Sequence, residues 1–322
     1  MSYRYQVPRK RLVVLLIGFC LASILLPPRL DAGWGEVTAP VLEMGAGAEL
    51  PAMGGAGQAA INGPAALHYN PAGIMGADGS SMELSYQSMM EGITYSNLDY
   101  LASPGADNNW AAGLRYVDYG SVDETDYRTR EGGLLETKGS FTDVDVVLSG
   151  AYGGRWNENT TWGVATRLFN LELAQTSASG LAIDGGLQWR SPELPVAAGA
   201  TVKNLGMQVE YVDESEDLPL LVSAGGSFDL QQYTGYNLRL HGDLEQQINE
   251  SEFFPRLGGE WRTEGEYFRL RLGYDGSNDT DDGVTYGFGL YSERNNLKFD
   301  YALISFGEID DMHRFSLTYR FF

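Results

Sequence analysis

The chain has 322 residues, a formal net charge of −21 and a single cysteine. Without residues 1–32, which hold five positive charges and one negative, it stands near −25. That balance excludes nucleic acid as a partner, because phosphate binding needs a basic footprint. One cysteine excludes a disulfide framework and a thiolate metal site.

Residues 1–32 read as a secretory leader. Arg4, Arg9, Lys10 and Arg11 form a positive start, Leu12 to Leu26 an apolar run, and Pro27-Pro28 its break. The run is shorter than the roughly 20 residues of a spanning helix, so a cleaved signal peptide is expected over an uncleaved anchor, with cleavage after Ala32. Cys20 lies inside the run behind Ile17-Gly18-Phe19, not behind the small residues of a lipoprotein site. No later apolar run approaches a spanning helix; barrel strands give a much weaker signal per segment.

Residues 33–79 form a second unit. Between Gly45 and Gly73 it reads GAGAELPAMGGAGQAAINGPAALHYNPAG, nearly all Gly, Ala, Pro and Asn. Interior Gly and Pro exclude a long strand or a long helix, and the Ser, Lys and Glu of a solvated linker are missing. A close-packing hatch ahead of a barrel is expected, with Gly45, Gly47, Met53, Gly54, Gly55, Asn70, Pro71, Ala72 and Gly73 as its structural motif.

Residues 80–322 alternate with period two. Phe268, Leu270, Leu272 and Tyr274 enclose Arg269 and Arg271, and Val144, Val146 and Leu148 alternate with Asp143 and Asp145. Strands are expected at 80–87, 94–101, 110–118, 143–153, 161–173, 180–190, 195–205, 218–228, 235–244, 253–262, 266–274, 283–292, 297–305 and 311–321. Fourteen is an even number, as a single-chain transmembrane antiparallel β-barrel requires. The connections alternate in length: 119–142, 206–217, 245–252 and 275–282 are long, whereas 191–194, 263–265 and 293–296 are short. A soluble sandwich also alternates faces. The strand count, the aromatic residues near strand ends (Trp110, Tyr116, Tyr274, Tyr319) and the final strand favour the barrel.

That final strand ends HRFSLTYRFF. Phe315, Leu317, Tyr319 and Phe321 alternate with polar residues and Phe322 follows as one extra, similar to the signal by which the barrel assembly machinery recognises outer-membrane barrels.

With hatch, strands and terminus together, the chain resembles the PorV/PorQ family of outer-membrane barrels, itself similar in design to the FadL long-chain fatty-acid channels. The residues that carry the resemblance are Met53-Gly54-Gly55-Ala56, His68-Tyr69-Asn70-Pro71-Ala72-Gly73, Ala178 to Asp184, Val202-Lys203-Asn204-Leu205-Gly206 and Arg314 to Phe321. Asn62-Gly63-Pro64 stands where the family often has acidic residues. The resemblance implies a fourteen-stranded barrel with an N-terminal hatch. It implies either an adaptor of type IX protein secretion, binding cargo at loops such as 119–142 and 206–217, or a FadL-like channel for hydrophobic small molecules. A structural assembly partner is the third reading.

By parity, Arg239, His241, Asp243, Arg256, Glu260, Arg262, Arg269 and Arg271 share one face. Arg on the lipid face would cost about 2–4 kcal/mol each at the midplane, so this patch is expected in the lumen, pairing internally or meeting the hatch or an anionic ligand. His68, His241 and His313 have no metal-ligand spacing. A Ser–His hydrolase would need a third orienting group that no local pattern supplies. Asp123, Glu124 and Asp126, with Asp213, Glu214, Glu216 and Asp217, make the outer connections acidic; Asp279, Asp281 and Asp282 join them, but Thr280 and Tyr286 break the calcium-loop pattern. The expectation is a non-enzymatic barrel with no metal and no cofactor, integral to the outer membrane of a Gram-negative-type bacterium. Its partners are outer-membrane lipid, lipopolysaccharide and the assembly machinery, with secretion components, cargo or hydrophobic ligands added according to the reading.

Overall fold

The computed structural model describes residues 39–321 apart from 90–91, 128–134, 174–175, 212–213, 250–251, 279–281, 306 and 308–310. The expected leader, Cys20, residues 33–38 of the hatch and Phe322 lie outside the described residues. The chain divides into Met1–Gly35, wholly outside them, and Glu36–Phe322, which holds everything below.

The strands are β1 (Ser81–Ser88), β2 (Thr94–Ala102), β3 (Asn108–Tyr127), β4 (Leu135–Asn157), β5 (Thr160–Leu173), β6 (Thr176–Arg190), β7 (Val196–Gly206), β8 (Val209–Tyr211) and β9 (Glu214–Glu216). Then come β10 (Leu221–Asp229), β11 (Leu238–Gln247), β12 (Glu252–Arg262), β13 (Phe268–Asp275), β14 (Val284–Ser292), β15 (Leu297–Ile304) and β16 (Met312–Arg320). Fourteen of them close into one barrel in which β1 pairs β16, each pair antiparallel; β8 and β9 form a separate two-stranded ribbon.

Period-two alternation builds this wall because successive side chains meet opposite surroundings. On β1, Met82, Leu84 and Tyr86 are exposed while Ser81, Glu83, Ser85 and Gln87 are buried. The exposed set continues through Leu148, Val164, Leu181, Val202, Leu257, Leu270, Tyr286 and Phe315. A closed sheet with its apolar side outward and its polar side inward is a transmembrane barrel. Aromatic pairs mark the end where the chain enters and leaves the wall: Tyr100 against Trp110 at 5.6 Å, Tyr152 against Trp162 at 5.9 Å and Tyr100 against Phe321 at 6.0 Å. That is the turn end. The opposite, loop end carries the longer connections.

Two connections differ from expectation. The 119–142 segment is not a loop at its described residues but a continuation of the β3–β4 ladder, running to Tyr127 opposite Leu135. Its charges read as loop, yet Val122, Thr125, Tyr127, Thr137 and Phe141 are strand formers, and the ladder bends through a register shift between Asp118 and Ser121, where Gly120 sits at φ 75°. The 206–217 segment contains the β8–β9 ribbon. Elsewhere the strand positions agree within a few residues.

The hatch follows its composition. Among its described residues it makes short turns at Pro40–Leu42, Pro51–Met53, Ala66–Tyr69 and Pro71–Gly76 and no strand. Its Val41, Leu42, Leu50, Met53, Leu67, Ile74 and Met75 are buried against inward-facing wall residues.

Candidate functional site: the hatch and the lumen wall

A hatch without regular structure must find partners for its own amides and carbonyls, and the wall supplies them. Asp243 on β11 accepts from the N–H groups of Gly57 (2.6 Å) and Gln58 (2.9 Å). Thr285 on β14 accepts from Gly54 N–H at 2.8 Å. Guanidinium groups donate to carbonyls: Arg115 to Val41 (2.5 Å), Arg167 to Leu42 (2.8 Å) and His68 (3.2 Å), Arg314 to Gly45 (2.9 Å).

Where hatch and wall touch most closely the wall is glycine. A Cβ on Gly258 would stand 2.7 Å from the Met53 Cβ. One on Gly273 would overlap the Met53–Gly54 backbone, one on Gly163 the Pro71 carbonyl, one on Gly199 the Gln58–Ala59 backbone. On the hatch side, Gly47 has φ 67° and a Cβ there would meet Glu83 Oε1 at 2.6 Å; Gly54 has φ 64° and lies against the Tyr274 backbone. Gly55 is beside Arg256, and a Cβ on Gly45 would strike the Tyr69 ring. Asn70 caps the Pro71–Gly76 turn, accepting from Ala72 N–H at 3.1 Å and donating to Gln58 O (2.9 Å) and Leu187 O (3.1 Å). Thr161 donates to Ala72 O, and Gly73 N–H bonds Asn70 O. The nine motif residues of the hatch thus lie along its wall contacts and turns.

The patch read by parity on β11 to β13 turns inward, with His241, Asp243, Glu260, Arg262 and Arg271 buried and Arg239, Arg256 and Arg269 half-buried, and its charges pair with one another and with their neighbours. Arg271 bonds Glu260 (2.9 Å) and Asp300 (2.7 Å); Arg256 pairs with Glu245 (3.0 Å) and Asp275 (3.3 Å). Arg262 pairs with Asp229 (2.9 Å) and Glu266 (2.8 Å), Arg239 with Asp229 (3.2 Å), Arg269 with Glu266 (3.3 Å). His241 is buried with no partner for Nδ1 among the described residues. Among the described residues, Asp243 alone of this patch bonds the hatch backbone. Glu49 of the hatch joins the network through Lys298 and, at 3.8 Å, Arg271; burial opposes its ionisation, but Lys298 and Arg271 hold it well below the usual carboxylate range.

A second network, on the opposite wall, escaped the sequence reading. His68 Nε2 meets Asp99 Oδ1 at 2.8 Å and His68 Nδ1 meets Arg115 Nη2 at 3.0 Å. Arg can only donate, so Nδ1 is the bare nitrogen and Nε2 carries the proton. Burial, then Arg115 and Arg167, push His68 well below the usual histidine range. Arg167 pairs with Asp184 at 2.6 Å and reaches Asn204 Oδ1 at 3.2 Å. Asn204 has φ 61°, a bulge that turns it inward beside Lys203; its N–H bonds Asp184 and its amide bonds Pro219 O, tying the strand to the loop that follows. The signal was present as one inward charge on each of β2, β3, β5 and β6, too sparse to stand out as a patch.

The two ends of the lumen differ. At the turn end a polar cavity of about 820 Å³ lies under the hatch, edged by Glu49, Arg239, Arg262, Arg269, Lys298 and Arg320. At the loop end one side of the wall is apolar: Tyr95, Val117, Val147, Phe169, Leu171, Ala178 and Ala182 pack around Val41 and Leu42 of the hatch, with Val209 and Leu218 from the β7–β10 connection. At the last strand, Phe315, Leu317 and Phe321 are exposed on the outer face, and Tyr319 rests on Phe321 at 5.2 Å.

No protein-family model matches the chain, and no curated protein matches it. Solved structures do. The toluene transporter TodX of Pseudomonas putida aligns with a TM-score of 0.63 at 14% identity, over 86% of this chain and 99% of that one. The barrel shares its fold. The toluene transporter TbuX of Ralstonia pickettii aligns at 0.56 and 14%, over 86% and 99%. The CymD monoaromatic hydrocarbon channel aligns at 0.58 and 12%, over 86% and 98%. At such identities the likeness is one of fold.

Proposed function

We propose that the chain is an outer-membrane channel for small hydrophobic molecules, of FadL-like design, with the hatch as its barrier. The apolar sector of the lumen carries this reading. Barrel interiors are ordinarily polar, and most of this one is. The sector on β2 to β6 is instead lined by Val117, Val147, Phe169 and Leu171 at the loop end, where a solute from outside arrives. An apolar inner wall at the outer end, covered by Val41 and Leu42 of the hatch and bared only when the hatch shifts, is what a hydrophobic solute needs and a water-filled pore does not. The shared fold with hydrocarbon channels supports it. The PorV/PorQ assignment, with its secretion-adaptor role, has no comparable observation behind it, and nothing at the site calls for an enzymatic step.

The test compares uptake of a labelled monoaromatic hydrocarbon by intact cells expressing the chain or its Val147→Lys/Phe169→Lys variant, at matched outer-membrane amounts. The parent speeds uptake and the variant loses most of the gain, since each buried Lys places a charge on the apolar route. Equal rates for parent, variant and cells lacking the chain sink the reading. Retention of a folded cargo domain at the outer loops, with no uptake, would return the adaptor to favour.

A further inference from the structure

The barrel closes where β1 meets β16, and the hatch lies across that seam. Ser85 on β1 and Ser316 on β16 stand directly opposite each other, both buried and inward. Consecutive hatch residues bond to them: Gly47 N–H to Ser85 Oγ at 3.3 Å and Ala48 N–H to Ser316 Oγ at 3.1 Å. One register step away, Arg314 on β16 bonds Gln87 on β1 and donates to the carbonyls of Gly45 (2.9 Å) and Gly47 (3.4 Å). On the other side, Thr318 on β16 donates to Glu83 on β1 at 2.8 Å, and Glu83 abuts Gly47. Tyr95 on β2 donates to Gly45 O at 2.8 Å.

We infer that Gly45–Ala48 is the stitch of the closing seam, so that the seated hatch holds β1 to β16 from inside the lumen. The first and last strands are eight and nine residues long, among the shortest of the wall. Every other wall pair is joined by a local connection, the longest being residues 207–220 between β7 and β10; this pair is separated by the whole barrel and gains nothing from a nearby turn. Two backbone donors from adjacent hatch residues, one to each strand, supply the missing local link. The serines are suited to it. A larger side chain at either position would push the hatch off the seam, and an apolar one would leave a buried N–H unpaired.

The experiment is a cycle on the full chain with Cys20→Ser, folded in detergent. Leu84 and Leu317 are opposed across the seam on the outer face, and Leu98 and Leu114 are opposed across β2–β3. Directly opposed strand residues fall within disulfide reach. Ser85→Ala/Ser316→Ala is introduced into three backgrounds: no added cysteines, the oxidised Leu84→Cys/Leu317→Cys pair, and the oxidised Leu98→Cys/Leu114→Cys pair. We expect the alanines to lower the thermal midpoint by roughly 5 °C in the first and third and to cost little in the second, where a covalent bond does the stitching. If the double variant does not fold, Ser316→Ala alone runs the same comparison. An equal loss in all three backgrounds, or none in any, overturns the inference. Neither result bears on solute uptake, so this inference and the channel reading fail independently.

Discussion

His68 illustrates what one buried residue contributes. In the folded chain its Nδ1 is occupied by Arg115 and its imidazole stays neutral. The unfolded chain protonates it near the ordinary value of 6.5. Below that pH the unfolded state holds the extra proton, so the stability His68 contributes is present above 6.5 and is lost as pH falls, by about 1.4 kcal/mol per unit. His68→Gln, which can still donate to Asp99 and accept from Arg115, should flatten that part of the profile. Guanidinium unfolding of both chains at several pH values between 5 and 7.5 reads the difference directly; parallel profiles would mean that another group sets the slope. Glu49 makes the opposite case. Its pairs keep it ionised through this range, so it adds no slope there.

Strands were the legible elements. Lipid outside and polar lumen inside impose opposite preferences on alternate residues, and a twelve-residue window contains enough of them to fix the parity. Hence Arg239, Glu260 and Arg271 read as one face by parity, opposite Leu238, Trp261 and Leu270. The β7 bulge was not legible, because Asn204 breaks parity by a backbone conformation that sequence does not display. Nor was the length of β3 and β4, since their outer halves are charged like loops. Beyond Asp118 and Val146 these strands leave their other neighbours and pair only with each other. A twenty-residue strand reaches about 66 Å, against the 9–11 residues a bilayer crossing needs. The outer hairpin therefore adds little to the wall. Replacing residues 121–142 with an Asn-Gly turn should leave the barrel's thermal midpoint within about 2 °C. A larger drop would show that the projection braces the lumen mouth.

At the scale of the molecule, the turn-making composition of the hatch was legible, and its seating was not. Composition excludes strand, helix and linker for Gly45–Gly73 within the segment itself. Its partners, however, lie far along the chain: Gly47 with Ser85, Ala48 with Ser316, Gly57 with Asp243. Such pairings carry no local period. The apolar sector at the loop end was missed for the same reason, because Val117, Val147 and Phe169 come from three strands and gather only after closure.

The glycines of the wall have one more consequence, for exchange of parts between barrels. Gly258, Gly273 and Gly287 leave room for Ala52, Met53 and Gly54, and each would collide if it carried a side chain. Bulk on one surface must be matched by its removal on the other, so hatch and wall can change only in step. A chimaera carrying a foreign hatch in this wall should fail to fold unless these three glycines and Gly163 are retained opposite equally slender hatch residues. The protein is thus two inheritable halves of one lock, and neither is a module that can be moved alone.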